Sequence, residues 1–138
     1  MRTACGELVG SSACRFSSVR RNVRGRLERW GIGELADDAV LIVSELLANA
    51  LRYGEPPVRL SLTLRGAGGG QRVRIGVTDA GTPFSSELVR AKWRHPSAYL
   101  SGGGRGLRLV DALACDWGDL PDGLGHTVWA ELPCGTDE

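Results

Sequence analysis

Apolar residues recur at helical spacing in three parts of the chain. With Ser17 and Ser18 as cap candidates, an apolar stripe predicts an amphipathic helix that ends near Gly31 and Gly33. The stripe consists of Phe16, Val19, Val23, Leu27 and Trp30. A second stripe predicts a helix over about 35–51, which Gly54 and two prolines stop. A third helix opens directly after the glycines at 102–106 and continues to about residue 114.

Strict alternation of apolar and polar residues predicts strands in the middle and at the end of the chain. Residues 58–64 and 73–77 alternate on either side of a glycine-rich turn, which predicts an antiparallel hairpin. The period of the second strand continues to Asp79, so its carboxylate points to the apolar face, where an acidic side chain needs a partner. Two closing strands are predicted at 115–118 and 127–132.

Two segments show no clear period. Residues 1–14 are small and polar, and we expect them to form a flexible tail ahead of one domain over 15–135. Residues 85–101 contain Pro96 and lead into the glycines, which predicts a short helix and a mobile loop that acts as a lid.

The composition describes one ordinary domain. A chain of 138 residues with 42% hydrophobic and 24% charged residues can bury one core, which excludes a two-domain enzyme. No apolar stretch reaches the roughly 20 residues that span a bilayer, and no export signal begins the chain, so we expect a cytoplasmic protein. The 4 cysteines match no zinc pattern, and only 2 histidines argue against a His-rich metal site or a Ser-His-Asp triad.

Charge is distributed unevenly along the chain. Arginines dominate the first predicted helix, whereas every formal charge from Asp111 onward is acidic. The pI of 7.7 is below the value of about 9 that is typical of nucleic-acid-binding domains. We therefore interpret the basic helix as a solvated face or as a face for an acidic protein partner, and a nucleic-acid binder with steep salt dependence is the weakest hypothesis.

Glu45 and Asn49 lie one turn apart on the polar side of the second helix, in line with Asp38 and Arg52. Mg²⁺ prefers oxygen ligands and keeps several waters, so one Asn carbonyl together with nucleotide phosphates suffices to hold it. Glu45 would then lie within reach of a group that attacks the terminal phosphate. The alternative is an ordinary solvated face on which Glu45 pairs with Arg52 or with water.

Two further segments carry candidate chemistry. The glycines at 102–106 precede a helix, where free backbone N–H groups and the helix dipole favour an anion such as phosphate. Their spacing fits neither a P-loop nor a dinucleotide-binding fingerprint, and the alternative is a simple turn. Asp79, followed by Gly81, can accept a hydrogen bond from an exocyclic amine; the alternative is that it only caps the turn at 79–82.

Taken in chain order, three segments resemble the N, G1 and G2 boxes of the GHKL ATPases. They are Glu-Leu-Leu-Ala-Asn-Ala at 45–50, Asp-Ala-Gly at 79–81 and Gly-Arg-Gly-Leu at 104–107. The resemblance covers about residues 16–133 and is strongest to the small anti-sigma-factor serine kinases of the RsbW and SpoIIAB type. It implies the Bergerat ATP-binding fold, an α/β two-layer sandwich with a mixed, mostly antiparallel sheet covered by helices on one face.

The resemblance also implies ATP and Mg²⁺ as cofactors. By position, Asn49 would ligate Mg²⁺ and Asp79 would bind the adenine amino group. Backbone amides of the G2 box would hold the phosphates. The positions that match the family's nucleotide-binding residues are Asn49, Asp79, Gly81, Gly104, Gly106 and Leu107.

For catalysis, the resemblance implies that Glu45 accepts the proton of a protein serine. Arg105, inside the G2 box, is the nearest substitute for the basic residue that contacts the γ-phosphate in kinases of this family. The protein would then be an ATP-dependent serine/threonine kinase that phosphorylates a STAS-domain antagonist and sequesters a sigma factor, and the unmodified antagonist would bind in place of the sigma factor. No direct contact with nucleic acid or membrane is expected. A homodimer is compatible with this function.

The alternative within the same family is a non-catalytic ATP-binding anti-sigma or adaptor protein that acts by contact alone. The intact Glu45 favours the kinase. Two departures from the family pattern favour the adaptor: Pro83 replaces the second glycine of the G1 box, and Gly102 replaces a basic residue before the G2 glycines.

Overall fold

The computed structural model describes residues 2–9, 13–66, 70–83, 105–123 and 125–133. Within these ranges the elements are, in chain order, β1 (Arg2–Val9), α1 (Ala13–Arg29), α2 (Ala36–Tyr53), β2 (Val58–Arg65), β3 (Arg72–Asp79), α3 (Arg105–Leu113), β4 (Asp116–Asp122) and β5 (Gly125–Pro133). A short 3-10 helix at Gly33–Leu35 joins α1 to α2. The helices and strands predicted from periodicity are all present, with ends that differ by a few residues.

The strands form one five-stranded sheet in the order β1-β2-β3-β5-β4. The predicted hairpin is confirmed, because β2 and β3 pair antiparallel with Leu62 opposite Ile75. β5 lies between β3 and β4 and pairs antiparallel with both, placing Val128 opposite Val77. Every ladder in the described residues is therefore antiparallel, in a sheet that was expected to be mixed and mostly antiparallel.

β1 corrects the flexible tail that was expected over residues 1–14. Arg2–Val9 pairs antiparallel with β2, from Arg2 opposite Leu64 to Val9 opposite Val58. The ladder shifts register between Ala4 and Glu7, and such an irregularity breaks the alternation of side chains that marks a strand in a sequence. α1 also starts inside the expected tail, at Ala13, so the expected caps Ser17 and Ser18 lie within the helix and not before it.

The described helices cover one face of the sheet. α2 contacts α1, α3 and β3, and its inward residues Ile42, Val43 and Leu46 are essentially inaccessible to solvent. The apolar stripe of α1 is confirmed, since Val19, Val23 and Leu27 are buried. Within the described part of the chain, no helix has both the length and the apolar character needed to cross a bilayer.

Truncation of Ile42 tests the position of α2. Ile42 is 0% exposed, so the Ile42→Ala variant is expected to lose about 2–5 kcal/mol of unfolding free energy through the cavity that it leaves. Urea denaturation followed by circular dichroism measures this loss. Leu41→Ala is the control, because its side chain on the same helix is 45% exposed and its truncation changes stability little. Equal losses in the two variants contradict the central place of α2.

Candidate functional site

α2 carries the two polar side chains that were expected to serve the metal and the attacking group. Glu45 and Asn49 are half-buried and one turn apart, while their neighbours Leu46 and Leu47 point into the core. Neither polar side chain has a hydrogen bond or ion pair within the described ranges. Such a carboxylate and amide can supply oxygen atoms to a hard cation or to a ligand above the helix.

The alternative pairing of Glu45 with Arg52 is not formed. The two residues are separated by two turns, or about 10 Å along the helix axis. The Arg52 guanidinium lies instead 5.6 Å from the ring centroid of Tyr53. Glu45 thus keeps its carboxylate at the surface of α2 without this partner.

Asp79 ends β3 and is only 4% exposed, which confirms that it lies on the apolar face of the sheet. Its Oδ1 accepts hydrogen bonds from the backbone N–H of Gly81 at 2.6 Å and of Glu55 at 3.3 Å. The Ala80 N–H in turn donates to the Glu55 carbonyl at 2.7 Å. The turn-capping alternative is therefore correct for Oδ1, and these bonds tie the loop that follows α2 to the end of β3.

Two glycines let the backbone approach the Asp79 carboxylate closely. A Cβ atom at Gly54 would lie 2.5 Å from Oδ2, and one at Gly81 would lie 2.7 Å from Oδ1. Any larger residue at either position has to displace the carboxylate. The close approach that Gly81 was expected to allow is thus present, and Gly54 contributes to it from the other side.

His126 contacts Asp79 from β5, the strand next to β3. Its Nε2 lies 3.1 Å from both carboxylate oxygens of Asp79, and its Nδ1 lies 2.6 Å from Oδ1 of Asp119 on β4. The exposed fractions of the three side chains are 7% for His126, 3% for Asp79 and 1% for Asp119. We refer to Asp79, His126 and Asp119 as the Asp–His–Asp network.

This network was not predicted from the sequence, because the small number of histidines was taken as an argument against any site that depends on them. One signal was available: Asp79 falls on the apolar face and requires a partner there. The register that places His126 opposite Asp79 belongs to the β3–β5 ladder and has no local signature. The partner could therefore be identified only after the strand order was known.

The predicted phosphate segment is only partly described. Arg105 and Gly106 begin α3, and Leu107 in its first turn is 7% exposed. Gly104 and the lid expected over residues 85–101 lie outside the described residues. α3 contacts α2, and a hydrogen bond of 2.7 Å from Nε1 of Trp117 to Asp111 joins it to β4.

Comparisons with known proteins agree with this architecture. A family model described as a histidine kinase-like ATPase domain matches residues 11–130. The sensor histidine kinase VxrA of Vibrio cholerae serotype O1 is 29% identical over 124 residues, which cover 86% of this chain and 22% of that kinase. This chain thus spans about a fifth of the length of that relative.

Proposed function

The chain belongs to the family of histidine kinase-like ATPase domains, and we propose that it is an anti-sigma-factor kinase that transfers the γ-phosphoryl group of ATP to a serine or threonine of a partner protein. The observation that carries this proposal is the pair Glu45 and Asn49, half-buried on α2 and uncommitted within the described residues. The proposed partners are a STAS-domain antagonist, which receives the phosphoryl group, and a sigma factor. The protein sequesters the sigma factor when it is not bound to the unmodified antagonist.

The chemistry of these residues suits Mg²⁺-ATP. The carbonyl oxygen of Asn49 is a ligand of the kind that Mg²⁺ accepts beside phosphate oxygens and water. When bound, Mg²⁺ neutralises charge on the phosphates during transfer. Glu45, one turn away, provides a carboxylate that can accept the proton of an attacking hydroxyl group.

Asp79 is the proposed acceptor for the adenine amino group. It is held in one orientation by backbone N–H groups and by His126, so its free acceptor capacity has a fixed direction. A buried carboxylate in a fixed position distinguishes a ligand that donates a hydrogen bond from one that presents a carbonyl. This arrangement favours adenine over guanine.

The second candidate function is a non-catalytic ATP-binding adaptor. Pro83 favours it, because the loop that follows Asp79 lacks one backbone N–H that a glycine at this position would offer. Such an adaptor binds the nucleotide and a sigma factor but transfers no phosphoryl group.

Label transfer distinguishes the two functions. The protein is incubated with γ-labelled ATP, Mg²⁺ and a candidate STAS-domain antagonist, and we expect acid-stable label on a serine or threonine of the antagonist. Acid-labile label indicates a phosphohistidine and contradicts the serine/threonine specificity. If the protein binds ATP and a sigma factor but labels no antagonist, the adaptor function replaces the kinase.

Nucleotide selectivity tests the role of Asp79. Asp79→Asn replaces an acceptor by an amide that can also donate, so ATP binding should weaken by about 1–3 kcal/mol while GTP binding changes less. Isothermal titration with both nucleotides measures the change. Asp37→Asn is the control, since Asp37 pairs with Arg24 on the surface at 2.9 Å and its side chain is 86% exposed. Equal affinity of the unmodified protein for ATP and GTP contradicts the assignment.

A further inference from the structure

The Asp–His–Asp network joins three neighbouring strands at one end of the sheet. Asp79 ends β3, His126 lies near the start of β5 and Asp119 lies on β4. Both ring nitrogens of His126 face carboxylate oxygens at hydrogen-bond distance. Each ring nitrogen is therefore placed to form a hydrogen bond with one carboxylate, and the donor in each contact is set by the tautomer of the imidazole.

This arrangement answers an electrostatic problem at the end of the sheet. Two carboxylates that are each at least nine-tenths buried would repel one another and lack solvation without a donor between them. His126 lies between them, with one ring nitrogen at hydrogen-bond distance from each carboxylate. Asp119 holds Nδ1, and this contact fixes the ring so that Nε2 faces Asp79.

The contacts of Asp79 are unequal at its two oxygens. Oδ1 accepts hydrogen bonds from Gly81 and Glu55 and faces His126, whereas the only hydrogen-bond partner of Oδ2 within the described residues is Nε2 of His126. A carboxylate oxygen can accept more than one hydrogen bond. Oδ2 can thus accept a further hydrogen bond from a ligand, and the contact with His126 sets the orientation of the carboxylate and hence the direction of that bond.

We propose that His126 is a positioning residue for purine recognition, which orients Asp79 toward the 6-amino group of the base, and that Asp119 acts through His126. This inference rests on the proposed function, because it takes adenine as the ligand of Asp79. It predicts that the network controls selectivity for the amino group rather than affinity for nucleotides in general.

The test compares ATP with purine riboside triphosphate, which carries hydrogen in place of the 6-amino group. Dissociation constants are measured by isothermal titration with Mg²⁺ for the full chain. We expect the unmodified protein to prefer ATP by about tenfold or more, as for a hydrogen bond to a charged group. Loss of the amino-group contact lowers this preference, whereas a general loss of structure weakens both nucleotides equally.

Two amide substitutions of His126 test its two ring nitrogens separately. His126→Asn can still donate toward Asp119 but no longer reaches Asp79. The ratio of its dissociation constants for purine riboside triphosphate and ATP should therefore fall to nearly one. His126→Gln keeps a donor toward Asp79 and should retain most of the preference. Asp119→Asn keeps the shape and hydrogen bonding at Nδ1 but removes the charge, so its preference should fall to an intermediate value.

The control is Thr78→Val, which removes the hydroxyl contact of 2.7 Å between Thr78 and Thr127 one residue along the same strand pair. Its preference for ATP should match that of the unmodified protein. Circular dichroism and urea denaturation establish that each variant folds, and Asp119→Asn carries the test if His126→Asn does not fold.

Three results separate the inference from the proposed function. An unchanged preference for ATP in His126→Asn and Asp119→Asn overturns the role of the network alone. Equal binding of both nucleotides by the unmodified protein overturns it as well, while nucleotide binding itself stands. No binding of either nucleotide by the unmodified protein contradicts the proposed function from which the inference proceeds.

Discussion

Replacement of Asn49 by alanine is expected to weaken the binding of Mg²⁺-ATP by about tenfold or more, because it removes the only predicted protein ligand of the metal. Asn49 is half-buried on α2 and has no competing hydrogen bond within the described residues, so the truncation disturbs little else. Isothermal titration measures the affinity, and circular dichroism shows that the fold is retained.

The effect should depend on the metal. With a chelator present, the unmodified protein and Asn49→Ala should bind ATP with similar affinity, since neither can then use the amide oxygen on Mg²⁺. Asn22→Ala is the matched control, because it truncates the same type of side chain at an exposed position of α1. Equal affinity of Asn49→Ala and the unmodified protein for Mg²⁺-ATP contradicts the assignment of the metal site to α2.

Local periodicity predicted most of the fold because most elements present one apolar face to one core. α1 and α2 each carry an apolar stripe at helical spacing, which in α1 includes Val19, Val23 and Leu27. The β2–β3 hairpin shows strict alternation of apolar and polar residues. β1 was not predicted, since its order depends on a ladder with β2 in which the paired residues lie 49 to 62 positions apart, and its register is interrupted. Long-range pairing of this kind leaves no period in the sequence.

In the candidate site, too, the local relations were predicted from the sequence and the long-range ones were not. The relation between Glu45 and Asn49 is local to one helix, so their spacing was enough to place them side by side. The partners of Asp79 are not local: His126 is 47 residues away in the chain and joins Asp79 only because β5 lies beside β3. The phosphate contacts of the segment at 104–107 stay a prediction.

Glu45 is the residue on which the distinction between enzyme and adaptor depends. A general base has to lie near the attacking hydroxyl group and hold a negative charge, while it contributes little to nucleotide affinity. Glu45 meets the first condition if Asn49 holds the metal, because the two side chains lie one turn apart on the same face of α2.

Glu45→Gln keeps the size of the side chain and one acceptor oxygen, but it replaces the other oxygen by an NH₂ group and removes the negative charge. Phosphoryl transfer to a STAS-domain antagonist should therefore slow by about 10²–10⁴-fold, as expected for the loss of a general base. The rate is measured in single turnover with labelled ATP, and the affinity for Mg²⁺-ATP, measured separately, should stay close to that of the unmodified protein.

Glu34→Gln, an exposed carboxylate on the short helix before α2, is the matched control and should transfer at the normal rate. If Glu45→Gln transfers the label as fast as the unmodified protein, Glu45 is not the base and another group must accept the proton. If the affinity for ATP falls together with the rate, Glu45 acts in binding the nucleotide or its metal. A selective loss of transfer is the result that assigns Glu45 to the chemical step.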